Sequence, residues 1–143
     1  TVMIDYAHNA LSFESILQTI MDYQPHRILC VYGAGGHRDV KRRYDVGEIV
    51  AKYKAFSILT ADNPRGENVS QICEDIVTGI HRVGGDYVII EDRKEAGNSN
   101  DCYHGHWADR FSGIFCSQQD CSGSDRSDSE LSGYLCTAGR GDA

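Results

Sequence analysis

The sequence contains no apolar run approaching the length of a membrane span, and no signal-peptide pattern opens it. On these residues no membrane partner is expected. It also lacks a basic excess: 14 Lys and Arg stand against 21 Asp and Glu, for a net charge of -7. That balance argues against a broad nucleic-acid surface. The paired C-x-x-C spacing of structural zinc sites is missing, although the chain has 6 cysteines. Cys30 and Cys73 fall in apolar patterns, where a free Cys behaves as a small hydrophobe. The others, Cys102, Cys116, Cys121 and Cys136, lie in the last third; without a secretory signal they make no disulfide framework. Nor is there a natural start, since Thr1 already stands inside the apolar run TVMIDYA; the chain reads as a piece of something longer.

What is there, over residues 1–96, is a βα rhythm in a chain of 143 residues, a length that suits one domain with a real core. TVMIDYA reads as a strand, after which Asn9 can cap a helix carrying Leu11, Ile16, Leu17 and Ile20. HRILCVYGAGG is a second strand, nearly continuous in its apolar residues as a core strand buried on both faces requires. A helix from about Tyr44 to Tyr53 turns Val46, Ile49 and Val50 inward. AFSILTA is the third strand. VSQICEDIVTGIHRV is a third helix, with Val69, Ile72, Cys73, Ile76 and Ile80 on one face and Gly84 and Gly85 to stop it. DYVIIED is a fourth strand. The alternation predicts an α/β fold: a three-layer, mostly parallel, Rossmann-like sheet with right-handed crossovers.

Residues 97–143 differ in texture. Ser, Gly and Asp dominate, with scattered aromatics and cysteines and no useful periodicity, which predicts an irregular or disordered tail. The shift falls where a fourth helix should start, after DRKEA. Back-translating Gly97 to His106 one base later permits mostly Ile, Thr, Met, Ala and Val codons, so a frame-shifted origin is one explanation for this tail and an unrelated segment is the other. Within it, CYHGH (Cys102, His104, His106) lacks the pairing of a zinc site and RGD (Arg140 to Asp142) is a tripeptide that chance supplies; no metal ligands are assigned.

Three strand ends collect polar residues: DYAHN from Asp5, GAGGHRD from Gly33, and ADNPR from Ala61. In a parallel sheet all three face one edge, where α/β proteins bind ligands. GAGG can bring main-chain N–H groups near an anion, but the dinucleotide fingerprint wants a glycine where Arg38 stands. Arg38 with Arg42 and Arg43, and then Arg65, suggests a pocket for a doubly anionic ligand. The plainer readings are that Asp62 or Asn63 caps the coming helix, that Arg65 and the charge run from Arg38 are solvated, and that Asp5 and His8 are a cap and a surface histidine.

In this order and spacing, DYAH, GAGGHRDVKRR, ADNPR and DRKEA resemble the C-terminal domain of the Mur ligases over residues 1–96. The motifs are short, but four in register are specific. The resemblance implies a cytoplasmic enzyme of bacterial peptidoglycan synthesis. Such ligases use ATP, with Mg2+, to phosphorylate the terminal carboxylate of a UDP-muramoyl dipeptide, and the amino group of the incoming amino acid then attacks to form an amide. In the branch that adds meso-diaminopimelate to UDP-MurNAc-L-Ala-D-Glu, DNPR recognises the distal end of the amino acid; lysine-adding relatives differ there. Carried over, Arg65 pairs with a diaminopimelate carboxylate, Asp62 and Asn63 complete the polar contacts, and Arg38 also contacts the amino acid. Asp5 and His8 match the segment bordering the nucleotide. A buried cation left unpaired would penalise lysine, which lacks the extra carboxylate.

The departures are specific as well. His37 stands where the family often has Asp or Asn, and Tyr44 where it has Pro. A later GKGHE-type segment is absent, as is the G-x-x-x-x-G-K-[ST] phosphate loop, so the chain by itself is expected to be inactive. The alternatives are a Mur-type ligase for another amino acid and a non-catalytic α/β nucleotide-binding module.

Overall fold

The computed structural model describes residues 2–98 and 114–117. Strands β1 (Val2–Asp5), β2 (Leu29–Tyr32), β3 (Phe56–Leu59), β4 (Tyr87–Ile89) and β5 (Ile114–Ser117) form one sheet in the order β1-β5-β2-β3-β4. Every pairing is parallel. The helices are α1 (Ala10–Asp22), α2 (Val40–Lys52), α3 (Val69–Val83) and α4 (Arg93–Asn98). The α/β reading with its parallel sheet holds.

Topology decides which face each helix covers. From β1 to β4 the chain moves across the sheet in one direction, so right-handed crossovers put α1, α2 and α3 on the same side. The return from β4 to β5 puts α4 on the other. The two cores follow strand alternation: Cys30, Tyr32 and Leu59 meet Phe13, Leu17, Val46, Val50, Cys73, Ile76 and Ile80, whereas Val31 and Ile58 meet Ala96 of α4. Within the larger core the Tyr32 hydroxyl shares a 3.0 Å hydrogen bond with the buried Ser57 hydroxyl, and its ring lies 5.3 Å from that of Phe13. Cys30 and Cys73 are free and buried, and burial pushes the Cys73 thiol up to about 11.

Local signals set most boundaries. Asn9 caps α1 in a capping box with Ser12: Asn9 Oδ1 accepts from Ser12 N at 3.0 Å, and Ser12 Oγ accepts from Asn9 N at 3.2 Å. Gly84, at φ 77°, ends α3 in the left-handed conformation that glycine adopts without strain.

Three expectations are corrected. Helix α2 begins at Val40, a turn before Tyr44, because Asp39 Oδ1 accepts from Lys41 N at 3.0 Å and caps it there. Leu11 is 78% exposed; Phe13 and Leu17, one turn apart, take the inward positions of α1. The cap of α3 is Asn68, whose side chain accepts from Ser70 N at 2.8 Å, and neither Asp62 nor Asn63. Within the stretch read as irregular, Ile114–Ser117 forms β5, which lies between β1 and β2.

Candidate functional site

At the carboxyl edge of the sheet, the loops after β2 and β3 interlock. Gly36 N donates to Asn63 O at 2.8 Å, and Thr60 N to Tyr32 O at 3.0 Å. The approach is close enough to require glycine. A Cβ on Gly33 would sit 2.2 Å from Thr60 O, and one on Gly36 1.8 Å from Pro64 O. The GAGG run therefore serves loop-on-loop packing. On the far side the loop after β4 is tied in as well: Ala61 N and Thr60 Oγ1 donate to Glu91 O at 3.1 and 3.2 Å, and Arg93 Nη1 donates to Ala61 O at 3.0 Å.

The ADNPR segment ends in a tight turn closed by Glu67 N donating to Pro64 O at 2.8 Å. Its central residues, Arg65 and Gly66, have φ of 49° and 89°, the signs of a type I′ turn. Gly66 does this freely; Arg65 does so at a cost of about 1–2 kcal/mol. That conformation accompanies a hydrogen bond from Arg65 Nη1 to Gly36 O at 3.3 Å. The arginine is thus anchored to the opposite loop while remaining exposed. A guanidinium has five N–H donors, so one anchor leaves capacity for a second partner. His37, on the facing loop, also has positive φ, 51°. Asp, Asn and His tolerate this region better than most residues, which makes His37 a workable replacement for Asp or Asn.

Beside these loops lies a cleft of about 300 Å³ bordered by Tyr6, His8, Gly33, Arg38, Arg42 and Asp62. Arg38 is exposed at its edge and has no ion-pair partner among the described residues. The expected site residues are distributed as follows. Arg38 and Asp62 share the cleft. Asn63 and Arg65 face the same glycine through Asn63 O and Arg65 Nη1. His8 borders the cleft, with Nδ1 3.1 Å from Tyr6 O. Asp5 accepts from Ala7 N at 2.8 Å through Oδ1, a local turn bond at the end of β1.

Arg43 also lines the cleft, but it does not offer a free cation there. It is 2% exposed, with Nη1 2.9 Å from Asp75 Oδ2 and Nη2 2.8 Å from Glu67 Oε2. Its charge is committed inward. Burial works against that charge, but the hydrogen bonds and attraction of Glu67 and Asp75 outweigh it and raise the pKa. Sequence reasoning missed Glu67 and Asp75 altogether. One signal for the role of Arg43 was present: position 43 falls on the inward stripe of α2 with Val46, Gly47 and Val50.

Among the described residues no cluster of three His, Cys, Asp or Glu side chains forms a metal site, so Mg2+ is assigned no ligand on them. No helix among them is long and apolar enough to cross a membrane. The CYHGH and RGD segments lie outside the described residues.

The profile of the family described as Mur ligase, glutamate ligase domain, matches residues 1–100. Two curated relatives are UDP-N-acetylmuramoyl-L-alanyl-D-glutamate--2,6-diaminopimelate ligases. That of Caldanaerobacter subterraneus is 45% identical over 95 residues, covering 66% of this chain and 20% of the relative. That of Syntrophomonas wolfei is 45% identical over 96 residues, with the same coverage. A solved structure of a ligase of that name superposes with a TM-score of 0.65 at 29% identity, covering 82% of this chain and 23% of its own. The chain thus spans about a fifth of the length of the relatives it matches. With the family profile covering most of the chain, and the parallel sheet bearing the same fold, the chain belongs to the Mur ligase family through its glutamate ligase domain.

Proposed function

We propose that residues 1–96 are the amino-acid-selecting part of a cytoplasmic, ATP-dependent ligase that adds meso-diaminopimelate to UDP-MurNAc-L-Ala-D-Glu in peptidoglycan synthesis. The observation that carries this reading is Arg65, held at φ 49° and anchored on Gly36 O, across the interlocked loops from Arg38. Residues held in sparsely populated conformations concentrate where a ligand needs them. In this reading Arg65 grips the distal carboxylate, Arg38 reaches the amino acid from the cleft edge, and Asp62 and Asn63 orient its polar groups. The printed names of the relatives, which include 2,6-diaminopimelate, support that choice of amino acid.

ATP supplies the phosphoryl group that activates the acceptor carboxylate. On this chain His8 and Tyr6, at the cleft border, are the residues that would face it; the carboxylate of Asp5 is engaged with Ala7 N and shapes the turn. No G-x-x-x-x-G-K-[ST] loop occurs in the 143 residues. The polypeptide by itself is therefore expected to bind the amino acid without ligating it. ATP-dependent amide formation by the purified chain would refute that part.

Isothermal titration with meso-diaminopimelate and with L-lysine tests the reading. Binding of the first, weak or absent binding of the second, and loss of the preference in Arg65→Ala support it. Equal binding of lysine redirects it to a relative adding another amino acid. Binding of NAD with no response to either amino acid supports a nucleotide-binding module.

A further inference from the structure

The ligation reading makes no use of the partly buried carboxylate–guanidinium cluster behind the two loops, in which Arg43 is the buried member. Glu67 reaches two elements at once. Its Oε1 accepts from the His37 main-chain N–H in the first loop, and its Oε2 accepts from Arg43 Nη2 in α2 at 2.8 Å. The same Nη2 lies 3.5 Å from Gly35 O, and Nη1 is fixed by Asp75 of α3 at 2.9 Å. Among the described residues Arg43 Nε is buried without a partner, a desolvation cost that native structures tolerate only where something offsets it. The geometry points to Glu67, fixed by Arg43, as a positioning residue for amino-acid recognition: it clasps the His37–Arg38 turn to the Pro64–Glu67 turn so that Arg38 and Arg65 face one ligand.

The chemistry of the clasp explains why a carboxylate is needed. Both groups that point at Glu67 are donors, the His37 N–H and the Arg43 guanidinium, and an ionised carboxylate accepts on both oxygens. A carboxamide presents one acceptor and one donor, so one contact becomes donor against donor. Loss of the negative charge also leaves the buried Arg43 facing Asp75 alone. His37 Nδ1, 3.7 Å from Glu67 Oε1, adds a second link when protonated. Because Glu67 is next but one to Arg65 and His37 adjoins Arg38, a slip of this bond moves both arginines.

The inference rests on the proposed diaminopimelate site, and its test separates the two. Wild-type chain, Glu67→Gln, Arg38→Ala and the double variant are titrated calorimetrically with meso-diaminopimelate at a temperature where circular dichroism shows all four folded. The expected result is that Glu67→Gln weakens binding by roughly tenfold or more, and by clearly less once Arg38 is gone and only Arg65 is left to displace, the non-additivity of residues acting through one another. A structural role alone would give the same fold-loss in both backgrounds and would overturn the inference, as would a Glu67→Gln chain that binds like wild type. If the wild type fails to bind, the diaminopimelate site itself is wrong and the inference falls with it. Should Glu67→Gln fail to fold, Arg43→Lys takes its place in the cycle, since lysine keeps the charge but cannot hold Glu67, Asp75 and Gly35 together.

Discussion

The main-chain N–H of Gly36 and the carbonyl of Asn63 are joined at 2.8 Å, directly beneath the arginine that follows Pro64. This bond makes two loops from different βα units into one surface. It exists because Gly36 has no side chain: a Cβ there would stand 1.8 Å from Pro64 O, inside any possible contact. Gly36→Ala must therefore push the loops apart. Its affinity for meso-diaminopimelate is expected to fall by about tenfold or more, equivalent to about 1.4 kcal/mol. Calorimetric titration beside a thermal melt separates this loss from any change in fold stability.

Arg65→Gly provides a sharper separation of stability from function. Glycine relieves the left-handed strain of roughly 1–2 kcal/mol at φ 49° but adds about 0.5–1 kcal/mol of chain entropy to the unfolded state. Stability should stay within about 1 kcal/mol of wild type while preference for diaminopimelate over lysine disappears. A large drop in melting temperature would mean that the anchor of Arg65 on Gly36 O holds the fold rather than the ligand.

Acid should loosen the loops through Glu67. The His37 main-chain N–H and then Arg43 hold its carboxyl below the ordinary carboxylate range. A depressed folded pKa means that the stabilisation is fully present above that ordinary range and is lost as pH falls through the folded value. The amide resonance of His37, followed by NMR on acidification, should report this step, and Glu67→Gln should abolish it. A His37 amide that titrates identically in both proteins would show that the bond is absent.

Two glycines bring α2 and α3 together. A Cβ on Gly47 would meet Ile76 O at 2.2 Å, and one on Gly79 would meet Tyr44 O at 2.0 Å. Main-chain carbonyls in packed helices yield little, so Gly79→Ala should destabilise by about 1–3 kcal/mol despite the better helix propensity of alanine. Leu11→Ala, at a position 78% exposed, is the control and should change stability by no more than about 0.5 kcal/mol. Denaturant midpoints of the two variants decide the matter.

Features written locally were legible. Asn9 announces α1 because its side chain bonds within the next three residues, and Gly84 ends α3 because φ 77° suits glycine. Features written across distance were not. Arg43 sits in a run of cations that reads as solvated, and its partners lie 24 and 32 residues away. Leu11 was misplaced although it lies off the helical face of Ile16, Leu17 and Ile20; Phe13, one turn before Leu17, is on that face and packs against Tyr32. Strand β5 carries four residues of signal within a Ser- and Gly-rich stretch, and its register is set by β1 and β2. At the site, the convergence of three strand ends could be foreseen from parallel topology; the left-handed Arg65 could not, since nothing but Gly66 hints at the turn.

The position of β5 also dictates an order of assembly. Strands β2, β3 and β4 can pair as they leave the ribosome, each joining the one before it. Strand β1, although made first, borders β5 and never β2, so its backbone partner is not synthesised until residue 114. The entropy of closing so long a loop falls on that last step. Until then the DYAH turn belongs to a strand waiting at the edge of a nascent sheet, and the cleft it borders waits with it.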